Sequence, residues 1–314
     1  MKVLITGGNG FLGRKLAHRL LAEGNHEVTL LDIHAGTDLP SGASAIVGDL
    51  CDPAVQDQLR KRGFDSVFHL AAVVSAAAEA DFDLGMRVNV DGTRALLEVC
   101  RDLPAPPRVV FASSVAVFGH APPLVLDDTP ARPQSSYGTQ KAIGELLVND
   151  YSRKGFIHGC SLRLPTVVVR PGKPNLAASS FASGIIREPL SGERSVCPVP
   201  MALALWITSP AHVVANLLHA HGLAPEAWED NRTLNLPGIS VTVGGMIAAL
   251  EKAGGDSSLI DHRPDETITR IVASWPADMD TARADRLGFG RDTGINAIVQ
   301  AYVEEDMPKR DNTR

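Results

Sequence analysis

Two rhythms of apolar residues run along the first half of the chain. Short, nearly continuous apolar runs stand at Lys2–Thr6, Glu27–Asp32, Ala45–Gly48, Ser66–Leu70, Arg108–Ser113 and Ser161–Val169. Between them, apolar residues recur every three or four positions, as at Leu12, Leu16 and Leu20. The first rhythm predicts strands buried on both faces, and the second predicts amphipathic helices. Helices are expected over Phe11–Glu23, Pro53–Arg62, about Gly85 to Arg101, and Ser136–Arg153. Gly24 is a stop signal for the first, and Pro53 opens the second. Strands alternating with helices predict an α/β fold, a doubly wound parallel sheet of the Rossmann type, since right-handed crossovers leave few other topologies.

The pattern loosens after about Pro165, where Pro and Gly break the chain at Arg170–Pro174, Pro198–Pro200 and Leu236–Gly238. Helices are expected there at Pro210–His221, Val243–Lys252 and Thr293–Glu304. Residues 1–165 are therefore expected to form a dinucleotide-binding Rossmann domain. Residues 166–314 are expected to form mainly a smaller substrate-binding region, with parts returning to the first domain. The polar tail Glu304–Arg314 is expected to fray.

Charge and cysteine content narrow the function. The net charge of −6 gives no basic footprint for nucleic acid or an anionic membrane. No apolar run is long enough to span a bilayer, and the N-terminus is too weakly apolar for a secretory signal. Cys51, Cys100, Cys160 and Cys197 are scattered without a C-x-x-C pair, which reads as reduced thiols. His158, His219 and His221 lack partners at ligand spacing, so no metal is assigned. These features predict a cytoplasmic enzyme with a small-molecule substrate and no nucleic-acid or membrane partner; a homodimer is compatible with them.

The candidate chemistry begins where the first strand meets the first helix. Gly7, Gly10 and Gly13 form G-x-x-G-x-x-G in T-G-G-N-G-F-L-G. Such a turn lets backbone N–H groups and the helix N-terminus receive a pyrophosphate. Asp32, ending the second strand, can accept both adenosine ribose hydroxyls and would repel a 2′-phosphate, which favours NAD over NADP. Arg14, just past the turn, could meet a 2′-phosphate and argues the other way. Asp49 and Leu50 could flank the adenine, and the small residues of Leu70-Ala71-Ala72 let a cofactor lie against the backbone.

Tyr137 and Lys141 lie one helical turn apart in S-S-Y-G-T-Q-K. A nearby ammonium favours the phenolate and lowers the pKa of a phenol from its usual value near 10. Ser113 and Ser114 end the fifth strand, at the carboxyl edge where such sheets bind ligands. His69 reads as a packed strand residue. A nucleotide-binding turn together with a tunable phenol suggests hydride transfer.

Taken together, T-G-G-N-G-F-L-G, the strand ending at Asp32, H-L-A-A, Asn89-Val90-x-G-T, F-A-S-S-V-A-V-F-G and Y-G-T-Q-K resemble the extended short-chain dehydrogenase/reductases, which include nucleotide-sugar epimerases and dehydratases. The resemblance implies Ser114 as the catalytic serine, Tyr137 as base, Lys141 as its lysine and Asn89 as the supporting asparagine. Phe11, Leu12 and Pro165 join the cofactor-binding candidates. The second half is similar to the D-erythronate dehydrogenase group within that family, through L-R-L-P-T-V-V-V-R-P-G-K-P-N, S-G-I-I-R-E-P-L and S-W-P-A-D-M-D-T-A-R-A-D-R-L-G-F. That similarity implies an oxidoreductase of carbohydrate metabolism that uses NAD to oxidise the C2 hydroxyl of a small sugar acid, D-erythronate to 2-keto-D-erythronate.

A small acid needs a cation for its carboxylate. Arg170, Lys173 and Arg187 follow the last main strand; Asn175, Ser180, Ser75 and Thr166 could meet hydroxyls. The stretch Leu205–Val214 lacks the arginine and aspartates that nucleotide-sugar enzymes often carry there. A nucleotide-sugar epimerase or dehydratase with tightly held NAD remains the alternative enzyme. A nucleotide-binding protein without catalysis should lack Tyr137 or Lys141, and both are present.

Overall fold

In the computed structural model, residues 1–36, 38–172 and 177–307 are described. The alternating runs of the first half become β1 (Lys2–Thr6), α1 (Phe11–Ala22), β2 (Glu27–Asp32), β3 (Ser44–Val47), α2 (Pro53–Arg62) and β4 (Ser66–His69). There follow α3 (Ser75–Ala80), α4 (Phe82–Gly85), a π-helical turn at Met86–Asp91, α5 (Gly92–Arg101), β5 (Arg108–Ser114), α6 (Ser136–Arg153) and β6 (His158–Leu164). The second half supplies β7 (Thr166–Val167), α7 (Ser180–Leu190), β8 (Ser195–Cys197), β9 (Ala204–Thr208), α8 (Pro210–Gly222), β10 (Thr233–Asn235) and β11 (Ile239–Thr242). It closes with α9 (Val243–Lys252), β12 (Ile260–His262), α10 (Glu266–Ala273), α11 (Ala282–Arg286) and α12 (Ile295–Ala301).

Seven strands form one parallel sheet in the order β10-β6-β5-β4-β1-β2-β3. The direction of winding reverses between β1 and β4, which opens a crevice at their carboxyl ends. Alternation along each strand feeds the two faces: Val3 and Ile5 join the core under α1 and α8, whereas Leu4 joins the core under α2, α5 and α6. β10 and α8 come from the second half of the sequence but pack into this sheet and its core. A separate core holds α7, α9 and α12 over β9 and β8.

Three expectations need correcting. The expected strand Ser161–Val169 starts earlier and is cut at Pro165. β6 stays in the main sheet, while β7 pairs with β9 of a second sheet, because a proline has no N–H to continue the ladder. The expected helix from Gly85 is assembled from α4, the π-turn and α5, with α3 preceding it. The helix α7 was not anticipated: it carries Gly184 and Pro189, residues that ordinarily argue against a helix interior, and Phe181 to Leu190 are all buried. The fraying expected of the tail falls mostly outside the described residues.

Candidate active site

Close backbone approach builds the nucleotide side of the cleft. Gly7 has φ of +68°, and a Cβ there would lie 2.8 Å from the Ala71 nitrogen. A Cβ on Gly13 would lie 2.4 Å from the Gly7 carbonyl oxygen. Only glycine lets β1, the Leu70–Ala72 segment and α1 come this close. Gly10 is the N-cap of α1 and no side chain closes the helix end, so its N-terminus is open to an anion.

Two lobes of about 320 and 380 Å³ meet over Gly7, Gly10, Leu70 and Ala72. The outer lobe holds Asp32, Asp49, Leu50 and Ala71. Asp32 accepts the Asn9 N–H at 3.1 Å and the His34 N–H at 3.2 Å, which aims its carboxylate at the end of β2. Asp49 is ion-paired with Arg87 at 2.8 Å and accepts the Cys51 N–H at 2.8 Å. Asp32 has no such cation partner among the described residues. Arg14 lines neither lobe. The inner lobe holds Phe11, Leu12, Gly13, Tyr137, Lys141 and Ser180.

A directional hydrogen-bond chain stiffens the floor between the lobes. The Ala71 N–H donates to Thr6 Oγ1, the Thr6 hydroxyl to His69 Nδ1, His69 Nε2–H to Thr93 Oγ1, and the Thr93 hydroxyl to the Asn89 carbonyl. Burial, then the Lys141 charge, hold His69 down at about 3, so it is neutral and structural. Its reading as a packed strand residue agrees with this placement. Asn89 lines neither lobe: its side chain accepts the Val73 N–H at 2.8 Å and donates to the Val73 carbonyl and to Gln140 Oε1. It braces the cleft wall and the residue before Lys141, and so acts through its neighbours rather than on a reacting atom.

The reacting groups lie at the carboxyl end of β5 and the start of α6. Ser135 caps α6 by accepting the Gly138 N–H, which fixes the first turn where Tyr137 sits. The Ser114 hydroxyl is hydrogen-bonded to the Tyr137 phenol. Burial nevertheless pushes the phenol up to about 12; the Ser114 hydrogen bond and the Arg170 charge pull it back only in part. The expectation that Lys141 supplies that charge is corrected here. Lys141 Nζ donates to the Ala112 carbonyl at 2.8 Å and lies 5.7 Å from the Tyr137 ring centroid, and the cation acting on the phenol is Arg170. Burial brings the Lys141 ammonium down to about 8, opposed by the nearby Glu145 carboxylate. Glu145 is itself held by Arg163, Nε and Nη2 at 2.9 and 2.8 Å, and by the Ser113 hydroxyl at 2.5 Å.

A smaller cavity of about 120 Å³ opens beside the phenol, lined by Ser75, Ser114, Tyr137, Thr166, Arg170 and Trp275. Pro165, expected on the cofactor side, lines this cavity instead, because it sits at the turn between β6 and β7. Ser75 Oγ accepts the Ala178 N–H at 3.0 Å, which ties the 177–179 segment down and leaves the hydroxyl proton to donate. The two arginines differ. Arg187 is buried, donates to the Arg170 carbonyl at 2.6 Å and is ion-paired with Glu188 at 2.5 Å. The Arg170 N–H donates to Ser183 Oγ at 3.1 Å, while its guanidinium has no acceptor among the described residues. Arg170 is therefore the cation open to an acid, and Arg187 holds it in place. Asn175 and Lys173 lie outside the described residues. Among the described residues no group of His, Cys, Asp and Glu gathers to hold a metal, and no helix is long and apolar enough to cross a membrane.

A model of the NAD dependent epimerase/dehydratase family matches residues 3–206. The chain belongs to this family. It is 52% identical to the D-erythronate dehydrogenase of Cupriavidus necator, over 97% of this chain and 98% of the relative. It is 47% identical to the D-erythronate dehydrogenase of Haemophilus influenzae, over 98% and 100%. A crystal structure described as the nucleoside-diphosphate-sugar epimerase from Agrobacterium tumefaciens superposes with a TM-score of 0.90 at 42% identity, covering 98% of this chain and 94% of that one.

NAD, the cofactor of this family, fits the residues present: a steric cradle that a Cβ would fill, an uncapped helix N-terminus and an uncompensated carboxylate at the end of β2. Several members of the site escaped the sequence reading. Glu145 lies one turn past Lys141, the same spacing that marked Tyr137, and could have been found that way. Ser183 and Glu188, which hold Arg170 and Arg187, and Trp275, which lines the smaller cavity, carried no local signal, because only packing brings them there.

Proposed function

We propose that this epimerase/dehydratase family member is an NAD-dependent dehydrogenase that oxidises the C2 hydroxyl of D-erythronate to 2-keto-D-erythronate. The observation that carries this reading is the cavity beside the Ser114–Tyr137 pair, where the Arg170 guanidinium has no acceptor among the described residues. A cation beside the serine–phenol pair suits a substrate that carries a carboxylate. Two relatives near half identity over the full chain carry the same activity in their names.

When bound, NAD supplies the oxidised nicotinamide that accepts the hydride leaving C2. Gly7, Gly10 and Gly13 would receive its pyrophosphate, Asp32 its adenosine ribose, and Lys141 its nicotinamide ribose. Arg170 anchors the substrate carboxylate by a charge-assisted, bidentate contact. Ser114 holds the C2 hydroxyl, and Tyr137, as phenolate, takes the hydroxyl proton while the C2–O bond becomes a carbonyl. Burial pushes the phenol up to about 12, so the rate of oxidation is expected to rise toward alkaline pH. The free thiols accord with a reducing compartment such as the cytoplasm.

The test is NADH formation when D-erythronate and NAD are added to the purified protein. The resemblance to the Agrobacterium structure favours one second reading, a nucleotide-sugar epimerase. NAD retained through purification, no NADH with any sugar acid, and interconversion of a UDP-sugar would establish it.

A further inference from the structure

One residue lining the acid cavity lies far from the reacting groups in sequence. Trp275 follows α10 and lines the same cavity as Ser114, Tyr137 and Arg170. It is held at both ends. Its backbone N–H donates to the Val272 carbonyl at 3.2 Å, and its side chain packs against the core built on α7 and α9. Four residues on, Met279 bridges Val125: the Val125 N–H donates to the Asp278 carbonyl at 3.2 Å, and the Asp280 N–H to the Val125 carbonyl at 2.8 Å. Val125 and Met279 are buried together with Val115 and Val117, the residues immediately after Ser114. The strap carrying Trp275 is thus fastened both to the second-half core and to the segment bearing the catalytic serine. A bulky ring so tethered cannot swing aside cheaply.

We propose that Trp275 is the chain-length wall of the acid pocket: with the carboxylate on Arg170 and C2 at Tyr137, it admits a four-carbon acid and excludes longer ones. This rests on the sugar-acid reading above. One methylene added or removed against an apolar wall is worth roughly 10–200-fold. Among the described residues the Trp275 indole N–H has no hydrogen-bond partner, so it is also free to donate to the terminal hydroxyl of a four-carbon chain.

The experiment compares kcat/KM for D-erythronate with that for D-ribonate, its five-carbon homologue with the same configuration at C2 and C3, in the unmodified enzyme, Trp275→Phe and Trp275→Ala. The unmodified enzyme should prefer the shorter acid by at least roughly tenfold, and Trp275→Ala should erase most of that preference. An unchanged ratio in a Trp275→Ala enzyme that still oxidises D-erythronate overturns the wall. Intrinsic fluorescence gives a second readout that needs no turnover. The chain has three tryptophans, and Trp206 and Trp228 are buried at 5% and 3% exposure, so a ligand in the cavity should act on Trp275 alone. Saturable quenching by D-erythronate, lost in Trp275→Phe, supports the wall; quenching that persists in Trp275→Phe, or that no aldonate produces, overturns it. If the unmodified enzyme forms no NADH with any acid, the activity reading fails, and the fluorescence arm alone then decides the wall.

Discussion

The two ends of the cleft are built by different means. The nucleotide end is made of backbone: Gly7, Gly10 and Gly13 in one turn, Leu70–Ala72 at the next strand end, and one carboxylate, Asp32. The acid end is made of side chains from separate segments, Ser114, Tyr137, Arg170 and Trp275, brought together by contacts such as Ser75 to Ala178 and Arg187 to Arg170. A backbone cradle depends on local geometry that few residue types permit. A side-chain pocket depends on what each side chain is braced against, and so can change substrate while the cradle stays the same. This explains how one family carries both dehydrogenases and epimerases.

Tyr137→Phe should break the acid end most sharply. Loss of a general base costs roughly two to four orders of magnitude in kcat. NAD binding by calorimetry should be nearly unchanged, since the phenol's hydroxyl is no part of the cradle; near-normal turnover would sink the mechanism. The arginines sharpen the comparison within the acid end. Arg170→Met should raise KM for D-erythronate by roughly one to two orders of magnitude, the loss of a charged hydrogen bond of about 1.5–3 kcal/mol, while the melting temperature holds. Arg187→Met strands Glu188 in the core, and removing one partner of a buried pair costs about 3–5 kcal/mol, so its signature should be a lowered melting temperature. The reverse pattern would exchange their roles.

At the nucleotide end, Asp32→Ala should weaken NAD by roughly one to two orders of magnitude, the worth of a charged hydrogen bond. It should leave the KM for D-erythronate nearly alone. Equal use of NAD and NADP by the unmodified enzyme would refute the assignment of Asp32.

Acid should act on the floor shared by both ends. His69 is held down at about 3 from its ordinary 6.5, so between those values the unfolded chain binds the extra proton and stability falls as pH falls. Above pH 6.5 its contribution is complete. Melting temperature measured from pH 7 to 4 should decline, and more gently in His69→Gln. The rate of oxidation should instead climb on the alkaline side, as the raised phenol begins to ionise.

What could be read from the residues follows the same division. β1, β2, α2 and α6 were legible to within a residue or not at all displaced, because each is a local pattern with its own start signal. Tyr137, Lys141 and Ser114 were legible because helical spacing and strand ends are local too. The partner that tunes the phenol was not: Lys141 was the near neighbour in sequence, but Arg170 is the charge that acts on it. Likewise α7 was not read, since Gly184 and Pro189 inside it are local signals against a helix and only packing overrides them.

By itself, then, the order of amino acids determined the parallel sheet, the glycine cradle, the carboxylate at the end of β2 and the placing of Ser114, Tyr137 and Lys141 at one strand end and one helix start. Each of these follows from the sterics and hydrogen bonding of a few consecutive residues. Only the tertiary structure decided which arginine has no acceptor among the described residues, that the Asn89 side chain is taken up by Val73 and Gln140, and that Trp275 lines the same cavity as Tyr137. Those outcomes depend on which distant side chains satisfy one another once the chain is packed, and no local rule carries that information.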